Sequence, residues 1–266
     1  MARRRSPVAR ALARSYAIAL IAFLVFPILV VLPLSFSGDR FLTFPPTSLS
    51  LRWYENYFND RSWLDASIRS VRIGIAASLL STVSGTLMAV WLSRRRGWFV
   101  PAIQGIALSP AIIPNVLIAL GVFLVVLVAR QTNSELALIA AHAMLGLPFV
   151  VLITGSALAD LDPTLERTAR VMGAGPVRAF LAGTWPSILP AVVSSALFAF
   201  FTSFDELIVA LFTMSGSPTL PVRMWTELRF EIDPTMSAVS MVLIAVTTLG
   251  MGAAEYLRRR KQKREA

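Results

Sequence analysis

Six times the chain runs for at least 21 residues without a charged side chain: Ser15–Gly38, Ile73–Ser93, Gly97–Ala129, Leu136–Ala159, Ala179–Phe204 and Pro234–Ala254. A helix of about 20 apolar residues crosses the roughly 30 Å of bilayer hydrocarbon, so each window is long enough to span a membrane. A water-soluble domain carries roughly a quarter of its residues as Asp, Glu, Lys or Arg, whereas here the share is 15% against 56% hydrophobic. The expected fold is therefore an all-α integral membrane protein with six transmembrane helices.

The first window follows Arg3, Arg4, Arg5, Arg10 and Arg14, as a secretory signal would, but it is longer than a typical signal core and lacks a clear small-residue cleavage site. It reads as an uncleaved span. The third window exceeds one crossing, and Pro101, Pro110 and Pro114 divide it into an interfacial lead-in and a span. The expected spans are 15–38, 73–93, 105–129, 136–159, 186–211 and 235–255, between a basic N-terminus (1–14) and a basic tail (258–266), with a loop at 160–186.

Charge placement orients these spans. With the amino terminus inside, the inner face holds 17 of the 25 basic residues, among them Arg94, Arg95 and Arg96, Arg167, Arg170 and Arg178, and the run from Arg258 to Arg264. The outer face holds eight basic residues balanced by eight acids. The positive-inside rule puts both termini and the 160–186 loop in the cytoplasm. The net charge of +10 thus reports topology and lipid contact, and a nucleic-acid footprint is the weaker explanation.

The loop has its own punctuation. Asp162 is a good N-cap, Pro163 suits a first helical position, and Gly173 supplies the left-handed residue that ends a helix. A second start comes at Gly175-Pro176, and Trp185-Pro186 is expected to break that piece. On the first short helix Leu165, Thr168, Ala169 and Met172 share one face, with Glu166, Arg167 and Arg170 toward the other.

This stretch resembles the cytoplasmic coupling loop of bacterial ABC importer permeases, whose motif is Glu-Ala-Ala, three residues, Gly, nine residues, Ile, one residue, Leu-Pro. Anchored on Gly173, the spacing reaches Pro186, and Ala169 and Ala174 fit. The motif's Glu falls on Arg167 with Glu166 one step earlier, its first Ala on Thr168, its Ile on Gly183 and its Leu on Trp185. The resemblance implies that Glu166, Arg167, Ala169, Arg170, Gly173, Ala174 and Pro186 couple the chain to an ATPase. It also implies a second permease subunit, two cytoplasmic ATPases that carry the ATP and Mg, an extracytoplasmic solute-binding protein, and a bacterial inner-membrane location.

Within that family the chain is similar to spermidine and putrescine permeases. The outer loop Asp39–Arg72 contains SLRWYENYF, which as an interfacial aromatic belt needs no receptor, and the second outer loop contains TLPVRMWTELRFEIDPT. Both resemble that subfamily, as does the Ser-Phe-Asp segment at Ser203–Asp205. Related permeases carry 4-aminobutyrate, thiamine, iron or phosphonate.

Asp205 and Glu206 are the candidate path residues. They stand between apolar runs in the fifth window, where an ionised group costs about 2.5–3.5 kcal/mol unless it faces a bundle interior or water. Helical neighbours point about 100° apart, so one can line a path while the other pairs elsewhere. Asp205 is the first choice, because an anionic lining suits a polycation. Interfacial placement, or pairing with a second subunit, is the competing explanation. His142, the single histidine, reads as a packed residue rather than a proton relay. Gly74, Ser78, Ser81, Ser84 and Gly85 read as close helix packing.

No enzyme emerges. A phosphate-binding Walker loop needs a lysine after its glycines, and the only lysines are Lys261 and Lys263. With one His and no Cys, a metal site would rest on scattered carboxylates. A secondary transporter working without an ATPase remains the alternative class, although its paired broken helices in inverted halves are not evident.

Overall fold

The computed structural model describes residues 7–162, 164–214, 216–230 and 234–249. Among them every regular element is helical, and the only extended pairing is a single bridge, Ser37 with Leu49. The expected basic tail, 258–266, lies outside the described residues, as does Pro163.

The chain divides into two units. The first comprises residues 1–64 and 226–266. It contains α1 (Pro7–Ser35), an apolar rod with Pro27 and Pro33 inside it. The amphipathic α2 (Arg52–Asn59) comes next, its Trp53 and Tyr57 buried one turn apart. Between them the chain turns back on itself: Gly38 N–H donates to Ser48 O and Ser50 N–H to Phe36 O. Asp39 pins this turn, accepting from the Thr43 hydroxyl and from the Thr47 amide and hydroxyl. The Thr47 hydroxyl, foremost, holds the Asp39 carboxyl down at about 2, below the usual carboxylate range. The tyrosine of α2, Tyr54, bonds Ser35 at the end of α1.

The second unit, 65–225, holds most of the remaining helices. They are α3 (Arg61–Arg94), α4 (Phe99–Leu108), α5 (Asn115–Val128), α6 (Glu135–Ala159), α7 (Thr164–Val171), α8 (Pro176–Ala179), α9 (Trp185–Phe204), α10 (Ile208–Thr213) and α11 (Leu220–Phe230), of which α3 and α11 cross the boundary. In the first unit the chain resumes as α12 (Thr235–Leu249), the described part of the expected sixth span.

Four helices among the described residues are long and apolar enough to cross a bilayer, and α4 and α5 make a fifth if that bent pair counts as one. The third window differs from the expected span 105–129. The proline-rich turn Ser109–Pro114 separates α4 from α5, and the two meet at 96°. Proline at 110 and 114 removes two backbone donors, and α5 alone, at about 21 Å, is shorter than the hydrocarbon. α3 begins twelve residues before the expected 73, so part of the supposed outer loop is helix.

The centre of this unit is α3 against α6 and α9. Close approach is set by missing side chains: a Cβ on Gly85 would lie 2.7 Å from Val150, and one on Gly146 would lie 3.1 Å from both Ala199 and the Ser81 hydroxyl. Ser78 donates across to Ala196 O at 2.6 Å. The expected small-residue packing is therefore present, except that Ser84 is exposed and bonds its own helix at Leu80. Beside this, Ile73, Ile118, Leu138, Leu145, Val209 and Met214 form a buried apolar cluster that joins α3, α5, α6 and α10.

Candidate functional site

Two places concentrate polar chemistry: the 160–186 loop and the end of α9.

The loop folds as the local sequence dictates. Asp162 Oδ1 accepts the Thr164 amide at 2.9 Å, opening α7. That backbone hydrogen bond is the first cause that holds the Asp162 carboxyl below its usual range. Gly173 closes α7 at φ +88°, its amide bonding Arg170 O while the Ala174 amide reaches back to Ala169 O. A left-handed residue with this pair of bonds satisfies carbonyls that a helix end otherwise leaves bare.

Burial separates the residues of α7 within each face. Ala169 points inward, and so does Glu166, whose carboxylate collects Arg94 Nη2 at 3.0 Å, Arg170 Nη2 at 3.0 Å and the Thr184 hydroxyl at 3.1 Å. Arg94 also lies over the Phe180 ring, 5.4 Å from its centroid. Glu166 thus ties α7 to the end of α3 and to the start of the next span. Leu165 (47% exposed), Met172 (78%) and Val171 (88%) face outward, together with Arg167. Ion pairing draws Glu166 inward from the polar face, and of the other face only Ala169 is buried. The reason α7 can lie so near is Gly183, where a Cβ would come within 3.2 Å of the Leu165 backbone.

Trp185-Pro186 does not break the helix. Residues Phe180–Thr184 form a π-helical turn between α8 and α9, and the Trp185 amide bonds Phe180 O, five residues back. The wider register makes room where the proline ring and its missing N–H would disrupt an α-turn. Pro186 stands in the first turn of α9, and one helix runs from Pro176 to Phe204.

The second place also corrects an expectation. The fifth span, expected as 186–211, stops at Phe204, so Asp205 and Glu206 are not neighbours on a continuous helix. Asp205 is the exposed C-cap of α9. Glu206 is buried, 6% exposed, and turns back to cap α10: its carboxylate accepts the amides of Ile208 (3.1 Å), Val209 (2.8 Å) and Ala210 (3.2 Å). Three otherwise unpaired N–H groups at the start of α10 therefore hold that carboxyl group. His142 on α6 is 1% exposed; its Nδ1 lies 2.8 Å from the Ser203 hydroxyl, and its Nε2 lies 3.7 Å from Glu206 Oε2.

Sequence reasoning missed a third cluster. Glu135, at the start of α6, receives Arg69 at 3.2 Å and Arg72 at 2.6 Å, while Arg69 also donates to Pro218 O. Ser70 accepts the Leu220 amide. Together these bonds clamp the segment before α11 to α3. Its members are far apart in sequence, and the one legible signal was the pair Arg69 and Arg72, three residues apart on one helix.

An apolar helical chain that hangs an amphipathic hairpin between two spans and interrupts one span beside two carboxylates has the architecture of a transport permease. The chain belongs to the family described as the binding-protein-dependent transport system inner membrane component, which it matches over residues 81–263. It is 29% identical over 228 residues to the spermidine/putrescine transport system permease protein PotC of Haemophilus influenzae, covering 85% of this chain and 88% of that one. It is 28% identical over 251 residues to the putrescine transport system permease protein PotI of Escherichia coli K12, covering 91% and 88%. Its fold matches a chain of a bacterial ABC transporter that imports the acidic polysaccharide alginate, with a TM-score of 0.71 at 13% identity, over 94% of this chain and 98% of that one.

Proposed function

We propose that this chain is a permease subunit of an ATP-driven importer for a small cationic solute, a polyamine such as spermidine or putrescine, in the bacterial inner membrane. The observation that carries the cargo reading is the interruption of the fifth span at Asp205. An exposed carboxylate ends α9 there, while its neighbour Glu206 is fully committed to backbone amides. The PotC and PotI relatives are named for polyamines, which supports the same class.

The chain works as one wall of a path completed by a second permease subunit, with cargo delivered by an extracytoplasmic binding protein. Two ATPase subunits hold ATP and Mg and dock on the hairpin α7–α8. Arg167, with the exposed apolar side chains of α7, meets the ATPase, while Glu166, Ala169 and Arg170 seat α7 on its own chain. Gly173 and Ala174 turn the hairpin, and Pro186 lies where the hairpin joins the span. Closure of the ATPases pushes α7, and the continuous helix Pro176–Phe204 carries the displacement into the membrane as a rigid body. At the path, Asp205 offers a fixed negative charge to an ammonium group that has shed part of its hydration, which is where a short-range ion pair gains most.

Uptake by proteoliposomes containing the whole complex tests this. Asp205→Asn is expected to raise the KM for putrescine by at least tenfold while ATPase docking is unchanged. Unaltered uptake kinetics would assign Asp205 to structure, and uptake of a neutral or anionic solute in place of putrescine would replace the cargo class.

A further inference from the structure

The interruption between α9 and α10 is held from both sides by one residue of a third helix. His142 lies on α6; its Nδ1 meets the Ser203 hydroxyl in the last turn of α9, at 2.8 Å, and its Nε2 faces the Glu206 carboxylate that caps α10, at 3.7 Å. Nε2 has no hydrogen-bond partner among the described residues, although the ring is almost wholly buried. A buried polar atom left unpaired is costly, and a ring that serves only as packing has no need to be imidazole. The surrounding cluster is otherwise apolar: Leu138, Ala141 and Leu145 on α6 and Val209 and Ala210 on α10.

We propose that His142, Ser203 and Glu206 form a brace that fixes the geometry of the break and thereby positions Asp205, making His142 and Glu206 positioning residues rather than path residues. The logic is mechanical. Asp205 lies between Ser203 and Glu206 in sequence, at the end of α9, where backbone bonding is thin: its own amide bonds Phe201 O, and the Glu206 amide reaches Ser203 O at a long 3.4 Å. Its direction is set by how α9 ends and how α10 begins. Ser203 anchors the first to α6 and Glu206 anchors the second, through three amide bonds whose far side faces the same ring. Backbone donors satisfy a carboxylate at a helix start whether or not it is charged, so the cap itself needs only an oxygen acceptor. The ring edge of His142 stands 3.7 Å from the capped carboxyl group, so its bulk, with the bond to Ser203, limits how α9 and α10 can shift against each other. The role given to Asp205 rests on the proposed polyamine path; the brace does not.

The chain has no cysteine, so a spin label introduced at one cysteine reports a single place. In the full-length chain carrying Asp205→Cys, a nitroxide attached at 205 should be ordered. Adding Glu206→Ala or His142→Ala is expected to raise its rotational rate at least threefold. Glu206→Gln, which keeps one oxygen for the amides of Val209 and Ala210 but gives up the acceptor for Ile208, should raise it less than Glu206→Ala does. Ser84→Ala, which removes a hydroxyl bonded only within α3, should leave it unchanged. Should Glu206→Ala fail to give monodisperse protein, Ser203→Ala reports instead, since it frees α9 from His142 and leaves the cap intact. No change in mobility with either the His142 or the Ser203 variant would overturn the brace, and so would an equal rise with Ser84→Ala. In chains that keep Asp205, the brace predicts that Glu206→Ala raises KM for putrescine at least tenfold with kcat within threefold, and that Glu206→Gln restores most of it. Wild-type complex that takes up no putrescine would remove the cargo reading and leave the spin-label result to decide the brace.

Discussion

Asp205 and Glu206 are chain neighbours with opposite surroundings: one is exposed at the end of a helix, the other buried and bonded to three amides. Their spacing could not show this, because the helix ends between them and a carboxylate one residue past an end can fold back to cap the next helix. Asp162 and Gly173 were legible for the contrary reason, since N-capping and a left-handed helix stop depend on residues within one turn. Gly173→Val would place a β-branched residue at φ +88°, at a cost of about 1–2 kcal/mol. The expected outcome is continued ATP hydrolysis with uptake reduced at least fivefold, measured together in proteoliposomes; tight coupling in that variant would mean the turn does not transmit force. The Asp162 cap carries a sign in pH. Its carboxyl is depressed in the folded chain, so its contribution is present above the ordinary carboxylate range and is lost as pH falls through the depressed value. The protection of the Thr164 amide, its exchange rate relative to the intrinsic rate at each pH, should therefore be constant from neutral pH down through pH 5 and fall only below the usual value for Asp, about 3.9; protection lost already near neutral pH would remove the cap.

At the scale of elements, the π-turn Phe180–Thr184 decides how the hairpin reaches the membrane. One surplus residue lets the chain pass Trp185-Pro186 without a break and sets the rotation of α8 against α9. Deleting Leu181, an exposed residue of that turn, would restore ordinary register and rotate α7 and α8 by about 100° relative to α9. The expected result is normal membrane insertion and helix content by circular dichroism, with ATPase association reduced at least tenfold; full association would show that the rotation is irrelevant. The inward turn of Glu166 on α7 was not legible in sequence, because its partner Arg94 lies 72 residues away, an attraction invisible to a helical wheel. Exposed ion pairs are individually weak, about 0.3–1 kcal/mol, but this carboxylate receives two guanidiniums and a hydroxyl at once, and a network holds orientation better than a pair. The four windows that became long apolar helices were readable because hydrophobicity in a bilayer is a property of every residue in the run. The sharp bend at Ser109–Pro114 was readable only as an interruption, since proline marks where a helix stops but not the angle at which the next one leaves.

For the whole molecule, apolar helices with no phosphate-binding loop among their uncharged windows carry an exposed, amphipathic hairpin, which under the proposed function a separate motor pushes. The chain's absence of cysteine makes its orientation directly testable: in sealed vesicles of known orientation a single cysteine at Asn59 should label from outside and one at Val171 only from inside; the reverse pattern would invert the expected topology, and labelling of both from one side would contradict it. The most direct measurement is putrescine uptake into sealed proteoliposomes built with this chain, its partner permease, the ATPase and the binding protein. Accumulation is expected to require ATP on the hairpin side and to vanish when residues 162–182 are removed. Accumulation by this polypeptide alone, or undiminished ATP-driven uptake after the removal, would contradict a motor-driven permease.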